Sequence, residues 1–60
     1  MNTPETPPAE SGYRFLRKGE IIQKGDQFWF PFGKEWVDAK ATIGLDVDAA
    51  SVKQYRRLTQ

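Results

Sequence analysis

Cysteine and histidine are both missing from this 60-residue chain, and each absence removes a class of chemistry. Without cysteine there is no disulfide framework and no thiolate zinc site. Without histidine, the commonest general base and the commonest transition-metal ligand go together. No apolar run is long enough to span a bilayer, and no basic start followed by an apolar stretch marks a signal peptide. These gaps predict a protein that is not an enzyme, carries no metal or cofactor, has no membrane partner and works inside the cell.

Aromatic mass is what the chain does have. Its eight rings are Tyr13, Phe15, Phe28, Trp29, Phe30, Phe32, Trp36 and Tyr55. A domain this small buries only roughly 60% of the surface its unfolded chain exposes. Each large ring can bury roughly 150–250 Å², enough to support a compact sheet without cross-links. Net charge is +1. Glu5 and Glu10 are the only charged side chains before Gly12, which leaves nine basic groups against six acidic ones beyond it. That excess suits weak steering of a partner and not a polyphosphate clamp.

Residues 1–11 contain three of the four prolines and no large apolar residue besides Met1, the composition of a disordered tail. Residues 12–60 form the domain. Tyr13–Arg17 reads as a first strand, Lys18-Gly19 as a turn, Glu20–Gln23 as a short extended piece and Lys24-Gly25-Asp26 as a second turn. Gln27–Phe30 and Lys34–Asp38 read as a hairpin. A type I turn with Pro31 second and Gly33 in the left-handed bulge position uses both residues as their chemistry prefers. That register pairs Phe30 near Lys34 and Phe28 near Trp36. It puts Phe28, Phe30 and Trp36 on one face, with Trp29 and Val37 on the other. Ile43-Gly44-Leu45 reads as a bend, Asp48 as the cap of one helical turn with Val47 and Val52 at staple spacing, and Gln54–Leu58 as a closing strand beside the first. The expected fold is mainly β: a small antiparallel sheet or incomplete SH3-like barrel with at most one helical turn. No internal repeat is read.

The order Tyr13-Arg14-Phe15-Leu16, Gly19-Glu20, Ile22, Gly25-Asp26, Trp36, Ile43-Gly44 and Tyr55-Arg56-Arg57 resembles short hypothetical proteins of tailed phages and prophages. The resemblance covers most of residues 13–57. It implies a phage or prophage origin and hence action in the host bacterial cytoplasm. It brings no established activity, so it assigns no catalytic residue.

Asp46 and Asp48 have the spacing of a calcium loop but lack its central glycine and distant glutamate, so turn formation and capping explain them. Glu20 and Asp26 read as solvated carboxylates flanking turns. Two contact surfaces compete. Trp29, Phe32 and Trp36 are candidates for binding a host or phage protein, or a second copy of the chain, because one small sheet cannot cover rings on both faces. Arg14, Arg17, Tyr55, Arg56 and Arg57 are the alternative, an Arg/Tyr stripe for weak nucleic-acid binding if the first and last strands pair.

Overall fold

Short aromatic and β-branched runs between glycine turns become four short strands in the computed structural model, which describes residues 7–59. They are β1 (Tyr13–Phe15), β2 (Gln27–Phe30), β3 (Glu35–Asp38) and β4 (Tyr55–Leu58). All pair antiparallel in one open sheet of order β1-β4-β2-β3. The only helical pieces among the described residues are 3₁₀ turns at Lys40–Thr42 and Ala49–Ser51. The chain is therefore mainly β, and the closing strand lies beside the first as the sequence suggests, with Arg14 opposite Arg57.

Side chains alternate across a strand, and residues directly opposite share a face. The pairs Phe28–Val37, Phe28–Tyr55 and Arg14–Arg57 place these residues on one face. Tyr13, Phe15, Gln27, Trp29, Trp36 and Arg56 occupy the other. This corrects the expected hairpin. Phe30 pairs with Glu35, Trp29 with Trp36 and Phe28 with Val37, one residue away from the register that turn chemistry favours. The reason is a fourth loop residue. Lys34, not Gly33, takes the left-handed conformation (φ +53°), so Pro31–Lys34 all belong to the connection. Gly33 is not left-handed, and a Cβ there would come to 3.0 Å from the exposed Phe30 ring and Glu35 carboxylate, which would have to shift slightly. The slip moves Trp36 from the Phe28 face to the Trp29 face.

The core lies on the Phe28 face. Leu16, Ile22, Ala39, Val47 and Tyr55 are buried there, with Phe28 and Val52 packed against them. Residues 17–26 and 40–53 fold over that face and are tied by a narrow second ladder. In it Gly19 N–H donates to Val47 O (2.7 Å), Val47 N–H to Glu20 O (2.9 Å) and Ile22 N–H to Leu45 O (2.9 Å). Asp48 caps the second 3₁₀ turn by accepting from Ser51 N–H at 2.9 Å, as its position in the sequence suggests.

Two tandem turns organise the lid over the core. Glu20 N–H donates to Arg17 O and Asp26 N–H to Gln23 O, both at 3.0 Å. Gly19 and Gly25 sit third in these turns at φ +86° and +96°, the conformation a type II turn demands. In each turn the fourth residue's carboxylate reaches back to the first residue's N–H: Glu20 to Arg17 (3.0 Å) and Asp26 to Gln23 (2.9 Å). Leu16-Arg17-Lys18-Gly19-Glu20 and Ile22-Gln23-Lys24-Gly25-Asp26 are thus one five-residue unit used twice at a spacing of six, with Leu16 and Ile22 as its buried anchors. The absence of repeats read from the sequence is corrected accordingly.

Residues 1–6 of the expected tail lie outside the described residues. Residues 7–11 run against the sheet: Pro7 is buried, and Arg56 donates to Ala9 O at 2.9 Å and to the Glu10 carboxylate at 2.7 Å.

Candidate functional site

Of the four arginines expected to form a stripe, the three that lie on β1 and β4 are divided between the two faces. Arg57 and Arg14 point into the lidded side. Arg57 grips Asp26 with two parallel bonds, Nε to Oδ1 at 2.8 Å and Nη2 to Oδ2 at 2.9 Å. It also donates to Glu20 Oε2 (3.0 Å) and Ile21 O (2.8 Å). Arg14 makes two more bonds to the Glu20 carboxylate. One guanidinium therefore joins the acids of both tandem turns, a planar fork that lysine could not reproduce.

Asp26 is not solvated, as the sequence suggested, but 2% exposed. Burial pushes its carboxyl upward, yet the Arg57 guanidinium and the Gln23 N–H outweigh that and hold it below the usual aspartate range. Glu20 is drawn down to about 2, by Arg14 first and then by the Arg17 N–H, with Arg57 adding to the pull. Both acids are anions at neutral pH, so neither can act there as a proton donor. The cluster is a structural clasp between strand and lid.

Arg56 faces the opposite way. Its guanidinium carbon lies 3.8 Å from the Tyr13 ring centroid and 4.4 Å from that of Trp36, the geometry of a cation held by two rings. Gln27 Oε1 accepts from its Nε at 2.7 Å. Trp29 stands edge-on to Trp36 with centroids 5.3 Å apart, and Phe15 lies 6.3 Å from Trp36. These rings are half-buried and hold one another. Of the remaining stripe residues, Arg17 is exposed in its turn and Tyr55 is buried in the core.

The hairpin tip is the one place where a large ring stands almost wholly in water. Phe32 is 91% exposed, and its only aromatic neighbour is Phe30 at 5.9 Å, itself 39% exposed. The three residues proposed for partner binding therefore do not form a single patch. Trp29 and Trp36 share the outer face, whereas Phe32 caps the hairpin they belong to. At the other end of the hairpin, Phe28, Asp38, Ala39, Ala41, Thr42 and Tyr55 line an open cleft of about 240 Å³. Sequence reading missed this cleft, because it arises where β3 runs into the first 3₁₀ turn and no local motif marks it. Arg57's partners were also missed; the repeated Lys-Gly-acid string was the signal for them.

Among the described residues no helix is long and apolar enough to cross a membrane. Comparison with protein-family models, with curated proteins and with solved structures finds no match.

Proposed function

We propose that the chain is a small binding module whose contact element is the β2–β3 hairpin, with Phe32 as the anchor. The observation that carries this reading is the 91% exposure of Phe32 at the tip of a hairpin stiffened by the Trp29–Trp36 pair. Water-exposed rings of this size cost solvation free energy and are typical anchors at protein contacts. The aromatic neighbours on the outer face supply a rigid mount. Following the phage and prophage resemblance of its motifs, we place the module among phage-encoded accessory proteins that act in the host bacterial cytoplasm on a host or phage protein or on a second copy.

Phe32→Ala is the clean test, since the ring is 91% exposed and packs on Phe30 outside the core, so its loss should leave the fold intact. Tagged wild type should retain a defined polypeptide at moderate salt, and Phe32→Ala should lose it. A variant that keeps every partner and every oligomer of the wild type sinks the reading. Trp29→Ala is a less selective probe because it also unseats Trp36. The nucleic-acid alternative draws less support, with Arg14 and Arg57 engaged by Glu20 and Asp26 and Arg56 turned to the other face. Binding of oligonucleotides that falls steeply with salt would revive it.

A further inference from the structure

β3 is an edge strand, and its hydrogen-bonding direction can be worked out. Trp29 N–H donates to Gln54 O at 2.9 Å, so Trp29 turns its backbone towards β4, and Phe28 and Phe30 turn theirs towards β3. Their partners Val37 and Glu35 therefore point inward, which agrees with Ala39 N–H donating to Asp26 O at 3.0 Å. Trp36 and Asp38 are left with backbone groups facing outward from the sheet. An open edge of this kind is a template for another strand.

We propose that the occupant of this edge is a second copy of the same chain, its β3 paired antiparallel to the first about Trp36. This identifies the partner within the binding-module reading above and rests on it. Three features of the hairpin agree with that one register. Trp36 falls opposite its own counterpart, the aromatic cross-strand pairing that sheets favour. Lys34, the loop residue that leads into β3, comes beside Asp38 at the far end of the second copy's β3, and the two-fold axis repeats the pair, so opposite charges meet twice. Both side chains are exposed in the single chain. Beyond Lys34, Phe32 at the hairpin tip extends past the end of the second copy's β3, where Ala39 and Ala41 line the cleft.

The faces agree as well. Phe30 shares its face with Phe28, Phe32 packs against Phe30, and the cleft opens beside Phe28 and Tyr55 on that same side. A two-fold axis perpendicular to the sheet keeps this side common to both copies. Phe32 cannot reach its own chain's cleft, because the strand length of the hairpin separates them. At about 240 Å³ the cleft is below the roughly 300–1,000 Å³ of small-molecule sites, a size suited to one side chain. A short strand and one ring per copy bury less than the roughly 800 Å² per partner of standard interfaces, so the dimer forms and dissociates with concentration.

The test is sedimentation equilibrium of purified wild type, Lys34→Asp, Asp38→Lys and the double exchange, each first shown to be folded by near-ultraviolet circular dichroism. Aspartate tolerates the left-handed backbone at position 34 better than most residues, so the first variant keeps its turn. Wild type should dimerise, each single variant should dimerise at least about tenfold more weakly, and the double exchange should restore the dimer. A wild type that stays monomeric, single variants that dimerise undiminished, or a double exchange that restores nothing overturns the proposal. If the protein is monomeric but Phe32→Ala still releases a different captured polypeptide, the second-copy inference falls and the binding-module reading stands. If Phe32→Ala changes neither, both fall.

Discussion

Removing the Arg57 guanidinium should do more damage than any other single change on the surface of β4, and it should reverse the pH dependence of stability. Arg57→Ala leaves Asp26, 2% exposed, with the Gln23 N–H as its remaining hydrogen-bond donor. Breaking one side of a buried ion pair costs about 3–5 kcal/mol, because an uncompensated charge stays behind. At roughly 0.05–0.15 kcal/mol per residue, a 60-residue chain has only about 3–9 kcal/mol in total. The variant should therefore be marginal or unfolded at neutral pH. In the wild type Asp26 sits below its ordinary value, so it adds stability above the unfolded-state value and loses it on acidification. In Arg57→Ala burial, the larger effect, is opposed by the Gln23 N–H alone and lifts the carboxyl above its ordinary value. The variant should then gain stability as acid protonates Asp26, while the wild type loses it. Asp26→Asn keeps an acceptor for Gln23 N–H and removes the stranded charge. Arg57→Ala with Asp26→Asn should accordingly be more stable than Arg57→Ala alone by about 1–3 kcal/mol. Urea denaturation of the four proteins across a pH series reads all of this. A fall in the stability of Arg57→Ala on acidification, parallel to the wild type, refutes the assignment of Arg57 as the counterion of a buried acid.

Glu20 supplies a separate acid-sensitive element. Its stabilisation is full above the ordinary value of 4.5 and disappears as pH falls towards about 2. Because the side chain is partly open to water, Glu20→Gln should cost about 1–2 kcal/mol at pH 7 and flatten the acid limb of a melting series. Lys53 occupies the third position of the turn Ser51–Gln54 at φ +70°, after Val52 at φ −58° and ψ 134°. Gly44 fills the same place after Ile43 in the turn Thr42–Leu45. Lys53→Gly should raise stability by about 0.5–1 kcal/mol in thermal denaturation, the left-handed strain of lysine exceeding glycine's extra chain entropy. Arg56→Ala removes a cation held by two rings and its bonds to Gln27, Ala9 and Glu10. A loss of about 2–3 kcal/mol and a red shift of tryptophan emission are expected, as Trp36 is opened to water.

Strands, turns and the Asp48 cap were legible because each rests on nearest-neighbour chemistry: aromatic runs for strands, glycine for left-handed turn positions, a short carboxylate before a helical turn. The pairing of the first and last strands was legible from their composition. The hairpin register was not. Pro31 and Gly33 both favour a three-residue connection, and the packing of Trp29 on Trp36 selects a four-residue one with Lys34 in the strained position. Nor was the burial of Asp26 legible, since its partner is Arg57, 31 positions away. The repeated Lys-Gly-acid unit was present in the sequence and points to the paired turns. Their convergence on one arginine appears only when β4 is placed between β1 and β2. For the contact surface, Phe32 was recognisable as a turn residue with nothing local to cover it. The division of the arginines between two faces required the strand alternation of the folded sheet.

The assignment of the β2–β3 hairpin as the contact element is tested most directly by photocrosslinking. A photoreactive phenylalanine analogue is placed at Phe32 in one variant and at Arg17, an exposed turn position on the lid, in another. Both are expressed in a bacterial cell and irradiated. Crosslinks from position 32 to a defined polypeptide, or to a second copy of the chain, with none from position 17, are the expected result. Crosslinks from position 17 alone, or none from position 32 while the protein remains folded, contradict it.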